Sequence, residues 1–154
     1  MNRSDFYSDR RKERKINFLA DYPIVRKYLC RKHGLKAQDF QLLCKLHSLG
    51  TFLRSDFEEH KLFWSWDLNR WTRMLKEDWI VVYRERKPSE GRNYKIYSIS
   101  YKCKKMVEDC YRMLCGEMAI PESTRHNKVM KEETYSDKRL AAAIRAFNAA
   151  RNEK

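Results

Sequence analysis

The sequence predicts a mainly α-helical fold with a small β-hairpin, in the α+β class. Apolar residues recur at helical spacing on both sides of the middle of the chain, which predicts helices that each bury one face. Residues 79–98 instead form two stretches rich in Val, Ile and Tyr around a turn that contains Pro and Gly, as in a hairpin. The 154 residues carry a formal net charge of +13, which favours a polyanion as the binding partner.

Charge and hydropathy indicate which partners the protein binds and whether it associates with a membrane. A chain of this length is expected to form one domain, and its charge favours nucleic acid over an anionic membrane surface or an acidic protein. No apolar run reaches membrane-spanning length, and the N-terminus has no hydrophobic signal core. We therefore expect no membrane association and a cytoplasmic location, nucleoid-associated or, for a phage-encoded protein, in the host cytoplasm.

The cysteines predict neither disulfides nor a metal site. The chain has 5 cysteines and no Cys-x-x-Cys pair, which argues against a disulfide framework and against structural zinc. Cys103 and Cys110 fall on one face of a predicted helix, so packing is the expected role, with a redox sensor as the alternative. No metal and no cofactor is expected.

The first half of the chain predicts a basic arm, two helices and a short extended piece. Residues 1–15 are dominated by charge. Apolar spacing predicts a helix over residues 18–32 that ends at Gly34, and a second, mostly buried helix over residues 38–49. Residues 51–53 are expected to be extended and able to pair with the later strands.

The centre of the chain predicts two helices joined by a tight turn. Ser55 and Glu58 have the spacing of a capping box, which predicts a helix over residues 55–62. Ser65 can cap a second helix over residues 65–77. The buried stripe of this second helix is expected to contain Trp64, Leu68, Trp71, Thr72, Leu75 and Trp79.

The opposite face of the second helix is suited to the major groove of DNA. It collects Trp66, Arg70, Arg73 and Glu77, with Asn69 and Lys76 on the flank. Arginine can pair with guanine edges or phosphates, and asparagine with adenine. The alternative is an ordinary solvated charged face.

Two predicted strands follow, over residues 79–86 and 92–98, around a basic turn at residues 87–91. Two helices and a hairpin in this order form a winged helix-turn-helix, in which the helix N-terminus at Ser55 can bind a phosphate and the wing the flanking groove. The predicted DNA-binding residues are Arg54, Ser55, Ser65, Trp66, Asn69, Arg70, Arg73, Lys76, Arg84, Arg86, Lys87, Arg92 and Lys95.

Beyond the wing the sequence predicts two more helices. Ser100 can cap a helix that reaches about Cys115 and ends at Gly116. Residues 117–135 are expected to be a polar connector, and Ser136 or Asp137 can cap a final helix reaching Asn152. The predicted domains are therefore a basic arm (1–15), a winged domain (16–116), the connector and a C-terminal helix (136–154). The apolar stripes of the two helices are Cys103, Met106, Val107, Cys110, Met113 and Leu114, and then Leu140, Ala143, Ile144, Phe147 and Ala150.

The order of parts over residues 22–115, including the segment Arg31-Lys32-His33-Gly34-Leu35-Lys36-Ala37-Gln38-Asp39-Phe40, resembles the MarR-type winged-helix transcription regulators. Asp78 stands where that family usually has glycine before the first wing strand. The resemblance implies a homodimer that reads two half-sites, with N- and C-terminal dimerisation helices. The dimer residues that it implies are Phe18, Tyr22, Val107, Cys110, Met113, Leu114, Leu140, Ile144 and Phe147.

The sequence thus predicts a sequence-specific regulator of transcription that binds double-stranded DNA as a homodimer and is not an enzyme. An enzyme would have to use the acidic stretch around Asp56, Glu58, Glu59 and His60, but helical spacing scatters these side chains. The alternatives are a winged-helix module that binds a protein of the transcription machinery, and a non-specific architectural DNA-binding protein. RNA binding is less favoured, because the aromatic sheet surfaces of common RNA modules are not evident.

Overall fold

The structure is a computed structural model that describes residues 17–61, 69–85 and 94–152. The described residues are mainly helical with a small three-stranded antiparallel sheet, which confirms the α+β class. None of the described helices is long and apolar enough to span a membrane. The elements in chain order are α1 (Phe18–His33), α2 (Ala37–Leu49), β1 (Thr51–Phe52), α3 (Arg54–Lys61), α4 (Arg70–Lys76), β2 (Ile80–Glu85), β3 (Lys95–Ile99), α5 (Tyr101–Leu114), a 3₁₀ helix (Lys128–Lys131) and α6 (Tyr135–Asn152).

Two helix ends confirm the capping predictions. Gly34 follows α1 with φ +67°, a left-handed conformation that glycine adopts without steric cost, and its N–H donates to the Cys30 carbonyl. Ser100 precedes α5, and its Oγ accepts from the Cys103 N–H at 3.2 Å. The local sequence is therefore sufficient to set these two boundaries.

Two other helix starts lie next to the predicted residues. At α3 the Leu53 N–H donates to Asp56 Oδ2 at 2.8 Å, so the helix begins at Arg54 and the predicted Ser55–Glu58 capping box is wrong. At α6 the Thr134 hydroxyl accepts from the Asp137 N–H at 3.1 Å. The two predicted cap residues, Ser136 and Asp137, therefore lie inside the first turn.

The sheet has the strand order β1-β3-β2, with both pairings antiparallel. Thr51 pairs with Ser98, which confirms that the short extended piece joins the hairpin strands. In the hairpin, Ile80 pairs with Ile99. The register shifts between Val82 and Arg84, where β2 contains a bulge.

The chain divides into two units, and the division falls within α5. The central unit is Leu35–Glu108, and the terminal unit comprises the described residues 17–34 and 109–152. The central unit contains α2, α3, α4 and the sheet. Its buried side chains include Phe40, Leu42, Leu43, Leu46, Phe52, Phe57, Trp71, Met74, Trp79 and Ile80.

The terminal unit buries the segment that the sequence predicted as a polar connector. Ile120 and Val129 are buried in it together with residues of α1 and α6. The Asn148 side chain accepts from the Ile120 N–H at 3.1 Å and donates to the Ile120 carbonyl at 2.8 Å, so the amide satisfies a buried backbone position in both directions. Residues 117–135 thus contribute buried side chains to a core, which the prediction of a polar connector did not include.

Candidate nucleic-acid interface

Helix α4 is fixed to α2 by a buried ionic cluster. Arg70 Nε lies 2.8 Å from Asp39 Oδ1, and Arg73 Nη2 lies 2.9 Å from Asp39 Oδ2. The side chains of Arg70 and Asp39 are each only 3% exposed, whereas that of Arg73 is 28% exposed. One carboxylate therefore bonds two guanidinium groups, one in the core and one at the surface.

This cluster corrects the predicted orientation of the second helix. Arg70 was expected on the DNA face, but it is buried, as are Trp71 and Met74. Thr72 was expected in the core and is exposed. Asn69 and Lys76 are exposed as predicted, so the open side of α4 carries Asn69, Thr72, part of Arg73 and Lys76.

The start of α4 also differs from the prediction. Its N-cap residue is Asn69, and the helix begins at Arg70. The sequence predicted one continuous helix over residues 65–77, and this prediction is wrong at residue 69, which is not helical. Ser65 and Trp66 lie outside the described residues. Arg86, Lys87 and Arg92, which the sequence predicts as wing contacts, lie outside them too.

Sequence reasoning missed Asp39, although a signal for it was present. Asp39, Leu42, Leu43 and Leu46 have the spacing of one helical stripe, and all are buried. A carboxylate inside an apolar stripe requires a charged or hydrogen-bonding partner, because burying an unpaired charge costs several kcal/mol. Arginine on a neighbouring helix is the natural partner, so the stripe could have pointed to Arg70.

Trp71 of α4 packs in an aromatic cluster. The Trp71 ring meets the rings of Phe57 and Tyr97 edge-to-face, each at 4.8 Å between centroids. The Arg54 guanidinium lies 5.6 Å from the Trp71 ring centroid, and its side chain is 64% exposed. Arg54 is therefore held beside α4 by a cation–π contact while keeping its charge at the surface.

Several contacts stabilise the turn between α4 and β2, at residues 77–79. Asp78 has φ +59°, in the left-handed region where glycine is favoured. The Trp79 Nε1–H donates to Glu77 Oε2 at 3.2 Å, and Lys102 Nζ lies 4.1 Å from the Trp79 ring centroid. Lys102 Nζ also donates to the Glu77 carbonyl at 2.5 Å. Glu77, expected on the DNA face, thus takes part in this turn.

The remaining predicted contacts in the described part of the central unit are exposed. Ser55 lies in the first turn of α3, and Arg84 lies near the end of β2. Lys95 opens β3 with its Nζ 3.8 Å from Glu85 Oε1, and both side chains are at least half exposed. Surface pairs of this kind contribute little to stability, so the contact with Glu85 holds Lys95 only weakly.

Most of the predicted dimer residues are buried within the chain itself. Only Phe18, Tyr22 and Leu140 of that set are more than slightly exposed. A side chain already covered by its own chain offers no surface to a second copy, so the predicted interface is corrected. The buried members are Val107, Cys110, Met113, Leu114, Ile144 and Phe147.

The buried cysteines have the properties of packing residues. Burial raises the pKa of the Cys103 thiol to about 12. Burial, with a smaller effect of Cys30, raises the pKa of the Cys110 thiol to about 11. Burial and the Asp109 charge likewise raise the pKa of the Tyr28 hydroxyl. Since the thiolate is the reactive form, Cys103 and Cys110 stay protonated and unreactive at neutral pH.

Acidic and histidine side chains do not converge on a metal site in the described part of the chain. Asp56 is used to cap α3, and Glu58 lies 3.8 Å from Arg54. The site therefore consists of hydrogen-bond donors and cations on α4, α3 and the hairpin. Comparisons of the chain with protein-family models, with curated proteins and with solved structures found no match.

Proposed function

We propose that the central unit binds double-stranded DNA as a winged helix-turn-helix and acts as a regulator of transcription, without catalysis. The observation that carries this proposal is the element order α2-β1-α3-α4-β2-β3 with the strand order β1-β3-β2. In a winged helix the helix before the hairpin enters the major groove and the hairpin lies against the flanking backbone. Here those positions belong to α4 and to β2–β3.

The exposed side of α4 supplies suitable chemistry for reading a groove. Asn69 can pair with adenine, Arg73 with guanine or a phosphate, and Lys76 with a phosphate. Thr72 replaces Arg70 in this set, because Arg70 is buried against Asp39. The revised reading surface therefore contains one arginine instead of two.

Asp39 gives this surface a fixed geometry. The Arg73 Nη2–Asp39 Oδ2 bond of 2.9 Å ties down a guanidinium whose side chain is 28% exposed. A long side chain loses rotamer entropy when it binds, and an arginine that is already held loses less. Asp39 thus acts as a positioning residue for Arg73.

Cations beside α4 add attraction for the phosphate backbone. Arg54, Arg84 and Lys95 are exposed on α3 and the two hairpin strands. Each phosphate that they neutralise releases counterions and makes binding sensitive to salt. Binding by a single copy is enough for this proposal, and the stoichiometry on an inverted repeat measures whether two copies bind together.

The test is duplex binding by fluorescence anisotropy over a salt series, with Lys76→Ala and Lys45→Ala as a matched pair. Both residues are exposed lysines of the central unit, one on α4 and the other on α2. Lys76→Ala should reduce the slope of log K against log salt by about 0.9, the value for one lost phosphate contact. Lys45→Ala should leave the slope unchanged. Equal slopes for both variants and the wild type would contradict the assignment of α4.

A non-specific architectural role is the second candidate. The burial of Arg70 favours it, because fewer side chains remain to read bases. Selection from a random duplex pool separates the two functions: a specific regulator enriches one site, and an architectural protein enriches none. Absence of duplex binding at low salt would favour the protein-interaction module instead.

A further inference from the structure

The β2–β3 hairpin exposes large side chains that the core does not use. Val82 is 46% exposed, Tyr83 is 67% exposed and Tyr94 is 37% exposed. By contrast, Ile80 at the start of β2 is buried. The hairpin thus changes from a buried end to an end with exposed aromatic side chains.

The change coincides with the bulge in β2. Val82 pairs with Tyr97 and Arg84 pairs with Ile96, so Tyr83 is the extra residue on its strand. Bulges redirect side chains and are over-represented next to binding sites. The half-buried ring of Tyr97 packs against Trp71, at 4.8 Å between centroids. The exposed part of β2 therefore begins at Val82 and includes the bulged residue Tyr83.

Cations lie next to the exposed ring in the strand pair. Arg84 directly follows Tyr83 and is exposed. Lys95 pairs weakly with Glu85, at 3.8 Å between Nζ and Oε1. Surfaces that bind single-stranded nucleic acid combine aromatic rings for stacking with cations for the backbone. Tyr83 and its neighbours have this combination.

The exposed Tyr83 ring cannot stack on the bases inside a duplex. Inside a duplex both faces of each base are covered by the neighbouring bases, so a protein ring can stack only on a base outside the stack. We propose that Tyr83 stacks on an unpaired base next to the duplex bound by α4. The preferred ligand is then DNA in which a duplex adjoins a single-stranded segment. This inference rests on the proposed function, because it places the duplex on α4.

The experiment compares a blunt duplex, the same duplex with a single-stranded extension, and the extension alone. The first unpaired base of the extension is 2-aminopurine, whose fluorescence falls when an aromatic ring stacks on it. The wild type should bind the extended duplex roughly 5- to 100-fold more tightly than the blunt duplex, the range expected for stacking of one base. The fluorescence should fall on binding.

Three variants assign the effect to the ring. Tyr83→Ala should remove both the gain in affinity and the fluorescence change, while Tyr83→Phe should keep both, because the ring remains. Tyr101→Ala is the matched control, since Tyr101 is 82% exposed and lies on α5 in the same unit. It should behave as the wild type. Circular dichroism melting of each variant verifies that it is folded.

The outcomes separate this inference from the proposed function. Equal wild-type affinity for blunt and extended duplexes would overturn the inference, as would a fluorescence change that survives in Tyr83→Ala. If blunt duplex binding depends on Lys76 while the extension adds nothing, the inference alone fails. If the extension binds through Tyr83 but the blunt duplex does not bind, the stacking site stands and the duplex-binding proposal fails.

Discussion

The two units each bury an arginine against an aspartate, and the two clusters differ in their stoichiometry. In the central unit Asp39 bonds both Arg70 and Arg73. In the terminal unit Arg151 Nη2 lies 3.0 Å from Asp21 Oδ2. The Arg151 guanidinium also lies 4.0 Å from the Phe147 ring centroid and donates to the Leu114 carbonyl at 3.2 Å.

This difference is consistent with the proposed role of Arg73 in binding DNA, because the side chain of Arg73 is partly exposed and that of Arg151 is nearly buried. Two guanidinium groups bond one carboxylate in the central unit, and the side chain of Arg73 is 28% exposed. The Arg151 pair is neutral, and its side chain is only 8% exposed. The Arg151 Nε and Nη1 atoms are buried and have no hydrogen-bond partner among the described residues.

The largest expected effect is that of Asp39→Ala. The substitution removes the carboxylate that bonds the buried Arg70 guanidinium, which should lower the free energy of unfolding by about 3–5 kcal/mol. Urea denaturation at neutral pH measures the loss. A loss below about 1 kcal/mol, the range of exposed pairs, would show that Arg70 is hydrated and the cluster is not buried.

A double variant, Asp39→Leu with Arg70→Met, is the control for this prediction. Replacing a buried ion pair by apolar side chains of similar volume is often neutral or stabilising, so most of the lost stability should return. The side chain of Arg73 is 28% exposed and can remain hydrated in this variant. Duplex binding should then persist with a weaker base preference. This result would distinguish the role of Arg70 in stability from the proposed role of Arg73 in base recognition.

Asp21→Ala should have a smaller effect, about 1–3 kcal/mol, the usual cost of leaving a buried donor without its partner. Asp21 is 25% exposed, and Arg151 keeps its contacts with Phe147 and the Leu114 carbonyl. Asp21→Asn, which keeps an acceptor oxygen, should lose less. Urea denaturation of both variants alongside Asp39→Ala measures the order, and an Asp21→Ala loss equal to that of Asp39→Ala would remove the distinction between the clusters.

The same contrast explains which parts of the structure the sequence could predict. All members of the α5 stripe, from Cys103 to Leu114, are buried as predicted, because they are apolar and their spacing alone defines the face. On α4 the buried face includes Arg70, whose partner Asp39 is remote in sequence. Periodicity assigns a charged residue to the surface, and only a tertiary contact can reverse that assignment.

The sequence correctly predicted the exposure of several polar and charged side chains in the candidate site. Asn69, Lys76, Arg84 and Lys95 are exposed as expected. The segment 117–135 was not predictable as core, because its buried polar residue Asn127 is satisfied by the Pro121 carbonyl and the Val129 N–H. Such pairing is specific to the folded loop and leaves no periodic pattern.

The smallest expected effects concern two non-glycine residues with positive φ in the described part of the chain, one in each unit. Asp78 has φ +59° and Glu132 has φ +53°. A side chain in this region costs about 1–2 kcal/mol, and less for Asp, while glycine loses about 0.5–1 kcal/mol more entropy on folding, so Asp78→Gly should stabilise the protein by no more than about 0.5 kcal/mol. Glu132→Gly relieves more strain than Asp78→Gly but loses the exposed Arg145 Nη1–Glu132 Oε1 pair at 3.0 Å, so its net effect should be near zero. Thermal unfolding of both variants tests this, and a destabilised Asp78→Gly would show that the aspartate side chain stabilises the turn into the hairpin.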